Sequence, residues 1–330
     1  MSIENTEQLE DSVLSAQVEP TTQPDWMDRE EVADDQVSIQ QLSQMRLTWI
    51  RFRRHKPALV GAGILFFMIV LAIIGPWISP ETYYGLNFGA NTNGIGLAPQ
   101  WDYRYLLGSD ANGHAIMMWI LLGARTSLMV GILGATLSST IGVTVGSVAG
   151  FFGGWLDALA MRITDIFLTL PFLPLLILLS AFFSGGNAWF IILIFGFLGW
   201  PGVARLIRSY YLTLREQEFT DAARAVGVGS WRIIFRHIMP NALSPVIVSF
   251  TLSVAAFIAG EAAIDFLGVG IHEPNVSWGL ALSNAQTYLL LGNWWGALFP
   301  GLALLLTVLA VNFLGDGLRD ALDVKAKVSE

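Results

Sequence analysis

The residues best spaced to do something specific lie between Glu218 and Asn241, in EFTDAARAVGVGSWRIIFRHIMPN, a polar and basic island between two long apolar runs. Phe219, Ala222, Ala223 and Val226 recur at i, i+3, i+4 and i+7, so on a helix they share one face. That face is small and shallow, with Asp221 and Arg224 beside it. Thr220 is the expected N-cap, and Asp221 falls in the first turn, where the helix dipole favours negative charge. Gly227 and Gly229 supply the stop, Ser230 caps a second short helix, and Pro240 ends that helix or opens the next. A short amphipathic helix without a bulky apolar face of its own suits a partner's groove. The chemistry expected here is recognition and transfer of force; the plainer alternative is a connecting loop that happens to be helical.

Covalent and metal chemistry have little to work with. The chain has no cysteine, which excludes disulfides, thiol catalysis and cysteine metal sites. Its four histidines, His55, His114, His237 and His272, are scattered singly, so a metal site built from them alone is not expected. Each of the three lysines, Lys56, Lys325 and Lys327, follows a non-glycine residue, so a GxxxxGK[ST] phosphate cradle is excluded. Neither a GxSxG elbow nor an HExxH helix occurs. An intramembrane enzyme would need a nucleophile with its base, or a metal set, and neither is present.

The elements that must position the island are membrane spans. The sequence is 54% hydrophobic and 13% charged, against about a quarter charged in soluble proteins. The net charge of -8 comes from one end: residues 1–44 carry eleven acidic groups and one basic. That stretch is expected to be a disordered cytoplasmic tail rather than a signal peptide. Residues 45–126 hold a basic amphipathic segment (Arg46, Trp49, Arg51, Phe52, Arg53, Arg54), a first span over 58–78 and an outer loop. Residues 127–324 hold five more spans: 128–151, 155–183, 188–207, 243–266 and 295–314. Gly142, Gly146 and Gly150 invite close helix approach in the second. Pro171 and Pro174 kink or break the third, where Arg162 and Asp165 are spaced to pair. Trp200-Pro201-Gly202 interrupts the fourth. Glu261 and Asp265 lie near the outer end of the fifth, and an ionisable group at that depth is a functional hypothesis by default. Six arginines between Arg205 and Arg236 put the island, and with it both termini, on the cytoplasmic side.

The sequence Asp221-Ala222-Ala223, with Gly227 four residues after Ala223 and Pro240 thirteen after Gly227, resembles the EAA motif of permease subunits of binding-protein-dependent ABC importers. His237-Ile238-Met239-Pro240-Asn241 is similar to the HILPN variant of the dipeptide, oligopeptide and nickel branch. Asp221 stands where the motif has Glu, and Met239 where it has Leu. Tyr105 to Asp110 with Gly113-His114-Ala115 resembles the branch's LGTDxxGRD signature. His114 and Ala115 depart from its Arg-Asp, so a salt bridge there is expected to be missing and the turn to pack on the outer surface. Glu261-Ala262-Ala263 with Phe266-Leu267-Gly268 resembles a family sequence at the outer gate, where the carboxylate is expected to meet water. The resemblance runs from about Arg46 to Val324.

It implies an all-α integral membrane protein with six transmembrane helices and a MetI-like type I ABC importer permease fold, in the cell (inner or plasma) membrane. It implies an ATP-driven importer of peptides, with a coupling helix over 219–227. Glu218, Phe219, Asp221, Ala222, Ala223, Arg224 and Gly227 would couple to the ATPase. Phe219 and Ala223 would fill its groove, Asp221 and Arg224 would orient the helix, and Gly227 would permit a sharp exit. Pro171 and Glu261 are the expected pathway or gate residues. No cofactor or metal is expected in this chain; ATP and Mg would sit in partner ATPase subunits. The implied partners are a second homologous permease, two ABC ATPases, an extracytoplasmic substrate-binding protein and membrane lipid, without nucleic acid. Two alternatives remain: a nickel or other small-solute permease of the same branch, and a stand-alone secondary transporter. The latter would usually carry internal repeats and midplane charges, which this sequence lacks.

Overall fold

The computed structural model describes residues 44–78, 96–101, 105–110 and 113–322. The chain divides between Ile50 and Arg51 into two units, and only the start of helix α1 (Gln44–Arg54) is described in the first. The acidic tail, Arg104, Asp323 and Val324 lie outside the described residues.

Among the described residues of the second unit, the regular structure is helix apart from one isolated bridge, Ser109 with Ala115. Its helices are α2 (Lys56–Ile78), α3 (Ile116–Phe152), α4 (Gly154–Thr169), α5 (Phe172–Leu179), α6 (Ala188–Leu214), α7 (Glu218–Ala225), α8 (Ser230–Phe266), α9 (Trp278–Leu289) and α10 (Trp295–Leu322). Five of them, α2, α3, α6, α8 and α10, are long and apolar enough to cross a membrane, and α4 with the segment Phe172–Phe183 forms an apolar pair bent by 84°, which makes a sixth span where the pair crosses as one. The bend falls where proline was expected to place it. Leu170 and Pro171 are both extended, and Pro171 precedes the first residue of α5.

The core is α3 packed along α6, with α2, α8 and α10 around them. Gly142 and Gly150 make the α3–α6 approach possible. A Cβ on Gly142 would lie 2.8 Å from the Trp200 carbonyl oxygen, and one on Gly150 would lie 2.6 Å from the Tyr211 Cβ. The small-residue ladder thus serves packing inside this chain.

Several helices outrun their expected ends. α3 begins at Ile116, not near 128, because the apolar turns IMMWILLGA pack inward while Arg125 stays on the outside. α6 runs straight through Pro201 and on to Leu214. Membrane helices tolerate such a proline when neighbours support the freed backbone. α10 continues through Gly315 and Gly317 to Leu322, where Gly317 sits against Ala58 at the start of α2. The outer segment expected as a loop over 271–293 contains α9, capped by the Ser277 hydroxyl, which accepts from the Leu280 N–H at 3.0 Å.

Candidate coupling site

α7 closes one end of the helical unit, beside the C-terminal ends of α3 and α6 and the start of α8. Its boundaries follow from three local features. Arg215 ends α6, and its guanidinium donates to the Gly150 carbonyl at 3.0 Å, fixing the turn to α3. Thr220 is not the N-cap. Gln217 holds that position without a side-chain bond, and Thr220 sits fully buried in the first turn, donating back to the Leu214 carbonyl at 2.9 Å. At the far end Gly227 has φ +77°, with its N–H on the Arg224 carbonyl (2.9 Å) and the Val228 N–H on the Ala223 carbonyl (3.0 Å). These two bonds form the Schellman closure that a left-handed residue after a helix permits.

The expected shared face is split by the packing. Ala223, only 7% exposed, turns inward onto Phe151, Tyr211, Ile233, Ile234 and Ile238. It holds α7 to its own chain and has no surface left to fill a partner's groove. Phe219 (39% exposed), Ala222 and Val226 (79% exposed) face outward. Glu218, Asp221, Arg224 and Gly227 are exposed with them. Asp221 and Arg224 pair with each other at 3.1 Å, and the Arg224 guanidinium also lies 5.6 Å from the Phe151 ring centroid. The exposed set on α7 is therefore Phe219, Ala222 and Val226, whereas Ala223, expected to face a partner with Phe219, is packed inside this chain.

The floor under α7 is a wide turn, Ile233–Ile238, with which α8 opens. Ser230 is not the expected cap, since Gly229 holds that position and Ser230 is the first helical residue; Pro240 opens the next helix as expected, in the first turn of Met239–Phe266, and the wide turn joins the two pieces into one span from Ser230 to Phe266. A proline at 240 removes a donor and crowds the carbonyl one turn back; widening the turn just before it relieves both. In this turn the Met239 N–H and the Tyr211 hydroxyl (3.1 Å) both reach the Ile234 carbonyl, and Asn241 Nδ2 donates to the His237 carbonyl at 2.8 Å. Tyr211 is fully buried and was not singled out by the sequence, where it reads as one more aromatic near a span end.

α4 is tied to α6 near the same end. Asp157 accepts two bonds from Arg208, one of them from Nη2 at 2.6 Å, and Asp165 pairs with Arg205. The expected Arg162–Asp165 pair does not form; the carboxylates reach across to the neighbouring helix instead, and Arg162 is exposed.

The opposite end holds the two carboxyls of α8. Glu261 does not meet water: it is 0% exposed and accepts from the Ser127 hydroxyl of α3 at 3.1 and 3.3 Å. Ser127 in turn accepts from the Trp278 N–H at 3.3 Å. Asp265 takes the Ile271 N–H at 2.6 Å and the hydroxyl of Ser277. The cluster ties α3, α8 and α9 together, and Pro171, exposed at the bend of the third span, is not part of it. In the signature turn before α3, Asp110 accepts from the His114 backbone at 2.7 Å, contacts His114 Nδ1 at 2.8 Å, and accepts from the Trp119 indole at 3.2 Å. His114 thus restores a contact expected to be missing, and the turn is buried rather than superficial. Among the described residues, no group of three or more His, Asp or Glu side chains could hold a metal ion.

A helical bundle of about six spans, carrying a short buttressed helix at one end, is the architecture of a transport component. Residues 142–328 match the family "Binding-protein-dependent transport system inner membrane component", and residues 43–99 match the "N-terminal TM domain of oligopeptide transport permease C". The chain belongs to this family of inner-membrane transport components. It is a multi-pass membrane subunit, not an enzyme, and ATP hydrolysis falls to a separate subunit. It is 36% identical over 293 residues to the dipeptide transport system permease protein DppC of Bacillus subtilis, covering 89% of each chain. It is 37% identical over 298 residues to the oligopeptide transport system permease protein OppC of Haemophilus influenzae, covering 90% of this chain and 94% of that one. The glutathione transport system permease protein GsiD of Escherichia coli is 38% identical over 282 residues, or 84% and 90% of the two chains. A chain of the MetNI methionine ABC transporter in an inward-facing conformation aligns with a TM-score of 0.49 and 22% identity, over 62% of this chain and 97% of that one.

Proposed function

We propose that the chain is one of two permease subunits of an ATP-driven importer of short peptides. It would supply half of the solute pathway and take its motion from separate ATPases through α7. The observation that carries this reading is the division of labour within one short helix. Thr220 and Ala223 lock α7 to the ends of α3, α6 and α8, while Phe219, Ala222 and Val226 are exposed among the described residues. A knob that is rigid inside and unpartnered outside suits transfer of displacement from a grooved partner.

Charge bias supports a cytosolic position for α7 and for both termini. The outward residues of α2, among them Phe66, Phe67 and Trp77, suit lipid or a companion subunit. ATP and Mg would be held by the ATPases, and the solute would be delivered by an extracytoplasmic binding protein. The peptide relatives favour peptide over nickel as the solute. The test is a crosslink from Ala222→Cys, in the intact importer, to a co-purifying subunit that carries a phosphate loop. Labelling of Ala222→Cys only from the cell exterior, or capture of no ATP hydrolase, would overturn the reading.

A further inference from the structure

A cavity of about 1200 Å³ lies between α6, α8 and the last turns of α10. It begins beside Asn241 and Arg319, at the same end as α7, and stops at Gly199 and Phe257. The stop is tight. A Cβ on Gly199 would lie 2.5 Å from the Phe257 ring and 2.8 Å from the Ser138 hydroxyl. Phe257 is stacked on Phe195 with centroids 4.7 Å apart. Ser138 is fully buried behind this seal, and its hydroxyl has no hydrogen-bond partner among the described residues. Beyond the seal comes the Glu261–Ser127 contact.

The walls are unusual for a membrane surface. The hydroxyls of Tyr210, Ser244 and Ser249 line the cavity and make no hydrogen bond among the described residues. Ser209 and Ser253 spend their protons on carbonyls of their own helices (2.7 and 2.9 Å), which leaves their oxygen lone pairs to accept. Polar groups on spanning helices face protein or water, not lipid. The cavity exceeds the roughly 300–1,000 Å³ of ordinary small-molecule sites. Its lining contains no carboxylate, imidazole or sulfur, so a bare divalent cation would find no ligand set there. Its single charge is Arg319, which has no ion pair among the described residues.

We propose that this cavity is the cytosol-facing half of the solute pathway, that Phe257 is its outer closure, and that Arg319 draws the carboxylate of a short peptide toward the cytosol. The proposal rests on the permease reading above and adds to it the lining, the closure and the group on the solute that Arg319 takes. Hydroxyls that both donate and accept match the repeating N–H and C=O of a peptide backbone without selecting a side chain. A guanidinium at the exit matches the one anionic group that unmodified peptides share. Displacement of the Phe257 ring would open the way toward Glu261 and expose the Ser138 hydroxyl at the seal.

Because the chain has no cysteine, single-cysteine variants report one position each in this subunit. Ser253→Cys and Ala256→Cys are compared with Phe66→Cys on α2 in inside-out vesicles without ATP, using a charged, membrane-impermeant thiosulfonate. The cavity cysteines are expected to react at least ten-fold faster than the control, to be protected by trialanine, and to lose trialanine uptake on modification. Arg319→Gln should raise the KM for trialanine about five-fold or more, while leaving the KM for trialanine amide unchanged. Cavity cysteines no more reactive than Phe66→Cys would overturn the proposal. So would their crosslinking to the companion permease with uptake intact, because the occupant would then be a partner helix. Fast labelling in an importer that takes up no peptide would overturn the peptide assignment and leave a wet pathway for another solute.

Discussion

The Tyr211 hydroxyl donates to the Ile234 carbonyl across 3.1 Å, joining the end of α6 to the wide turn that opens α8. The same carbonyl accepts the Met239 N–H, so one oxygen holds together the two elements between which α7 is slung. Tyr211→Phe keeps the ring and removes the bond. A buried neutral hydrogen bond contributes about 0.5–1.5 kcal/mol, and here its loss leaves the carbonyl one good partner. The subunit is expected to insert normally, lose a few degrees of thermal stability in detergent, and consume more ATP per solute imported. An unchanged ratio of hydrolysis to uptake would show that the α6–α8 tie does not carry motion.

Ala222 and Ala223 are adjacent in sequence and opposite in environment, so they separate docking from folding. Ala223→Glu puts a carboxylate among Tyr211, Ile233 and Ile238, where an unpaired charge costs several kcal/mol. It should reduce the amount of subunit in the membrane at least several-fold. Ala222→Glu places the same group in solvent. It should leave abundance normal and abolish co-purification of the ATPase. Equal abundance of the two variants, read by quantitative blotting of membranes, contradicts the assignment of faces.

That pair also marks what could be read from the chain alone. Helical spacing put Phe219, Ala222, Ala223 and Val226 on one face, but packing splits that face, with Ala223 buried and the other three exposed. Which edge of that side is buried depends on Phe151 and Ile234, residues distant in sequence, and no local pattern encodes their placement. Gly227 was legible because a left-handed closure has a local cause. The break at Pro171 and the helix start at Pro240 were legible for the same reason, yet the similar signal at Pro201 misled, because neighbouring helices absorb that proline. The carboxylates of α4 show the same limit: spacing offered Arg162, and tertiary packing supplied Arg205 and Arg208. The cavity ending at Phe257 left no local trace, since its walls come from three helices.

Gly227 offers a backbone test free of side-chain contacts, since nothing lies within 4 Å of a Cβ placed there. Any loss on substitution therefore reports φ +77° and not crowding. A β-branched residue pays about 1–2 kcal/mol to hold the left-handed conformation, whereas Asn adopts it more readily. Gly227→Val should disrupt the Schellman closure and cut uptake at least five-fold, with Gly227→Asn near normal. Equal activity of the two variants would mean that the closure of α7 is dispensable.

Asp157 and Arg208 form a two-bond pair between α4 and α6, at side-chain exposures of 15% and 29%. Hydrogen bonds to charged groups contribute about 1.5–3 kcal/mol each way of counting, and removing one partner strands the other. Asp157→Ala or Arg208→Ala should each weaken the attachment of the bent third span. The reversal Asp157→Arg with Arg208→Asp should recover part of the loss, since the coupling energy belongs to the pair. Thermal stability and uptake of the two singles and the swap, measured as a cycle, decide it; a swap no better than the worse single would assign the losses to packing.

Glu261 and Asp265, at the end of the helical unit opposite α7, differ in what they hold. Glu261 meets the Ser127 hydroxyl, which an amide oxygen could also accept, so Glu261→Gln preserves the contact between α3 and α8. Asp265 gathers the Ile271 N–H and the hydroxyl of Ser277, the residue that caps α9. Its removal therefore unties the outer segment from the helix end. Asp265→Ala should loosen the 271–278 stretch, seen as faster proteolysis there, and should do so while α7 still binds its partner. Glu261→Gln should leave proteolysis unchanged. If Glu261→Gln instead abolishes uptake with the fold intact, the carboxyl itself matters, and the cluster is more than a clasp between helices.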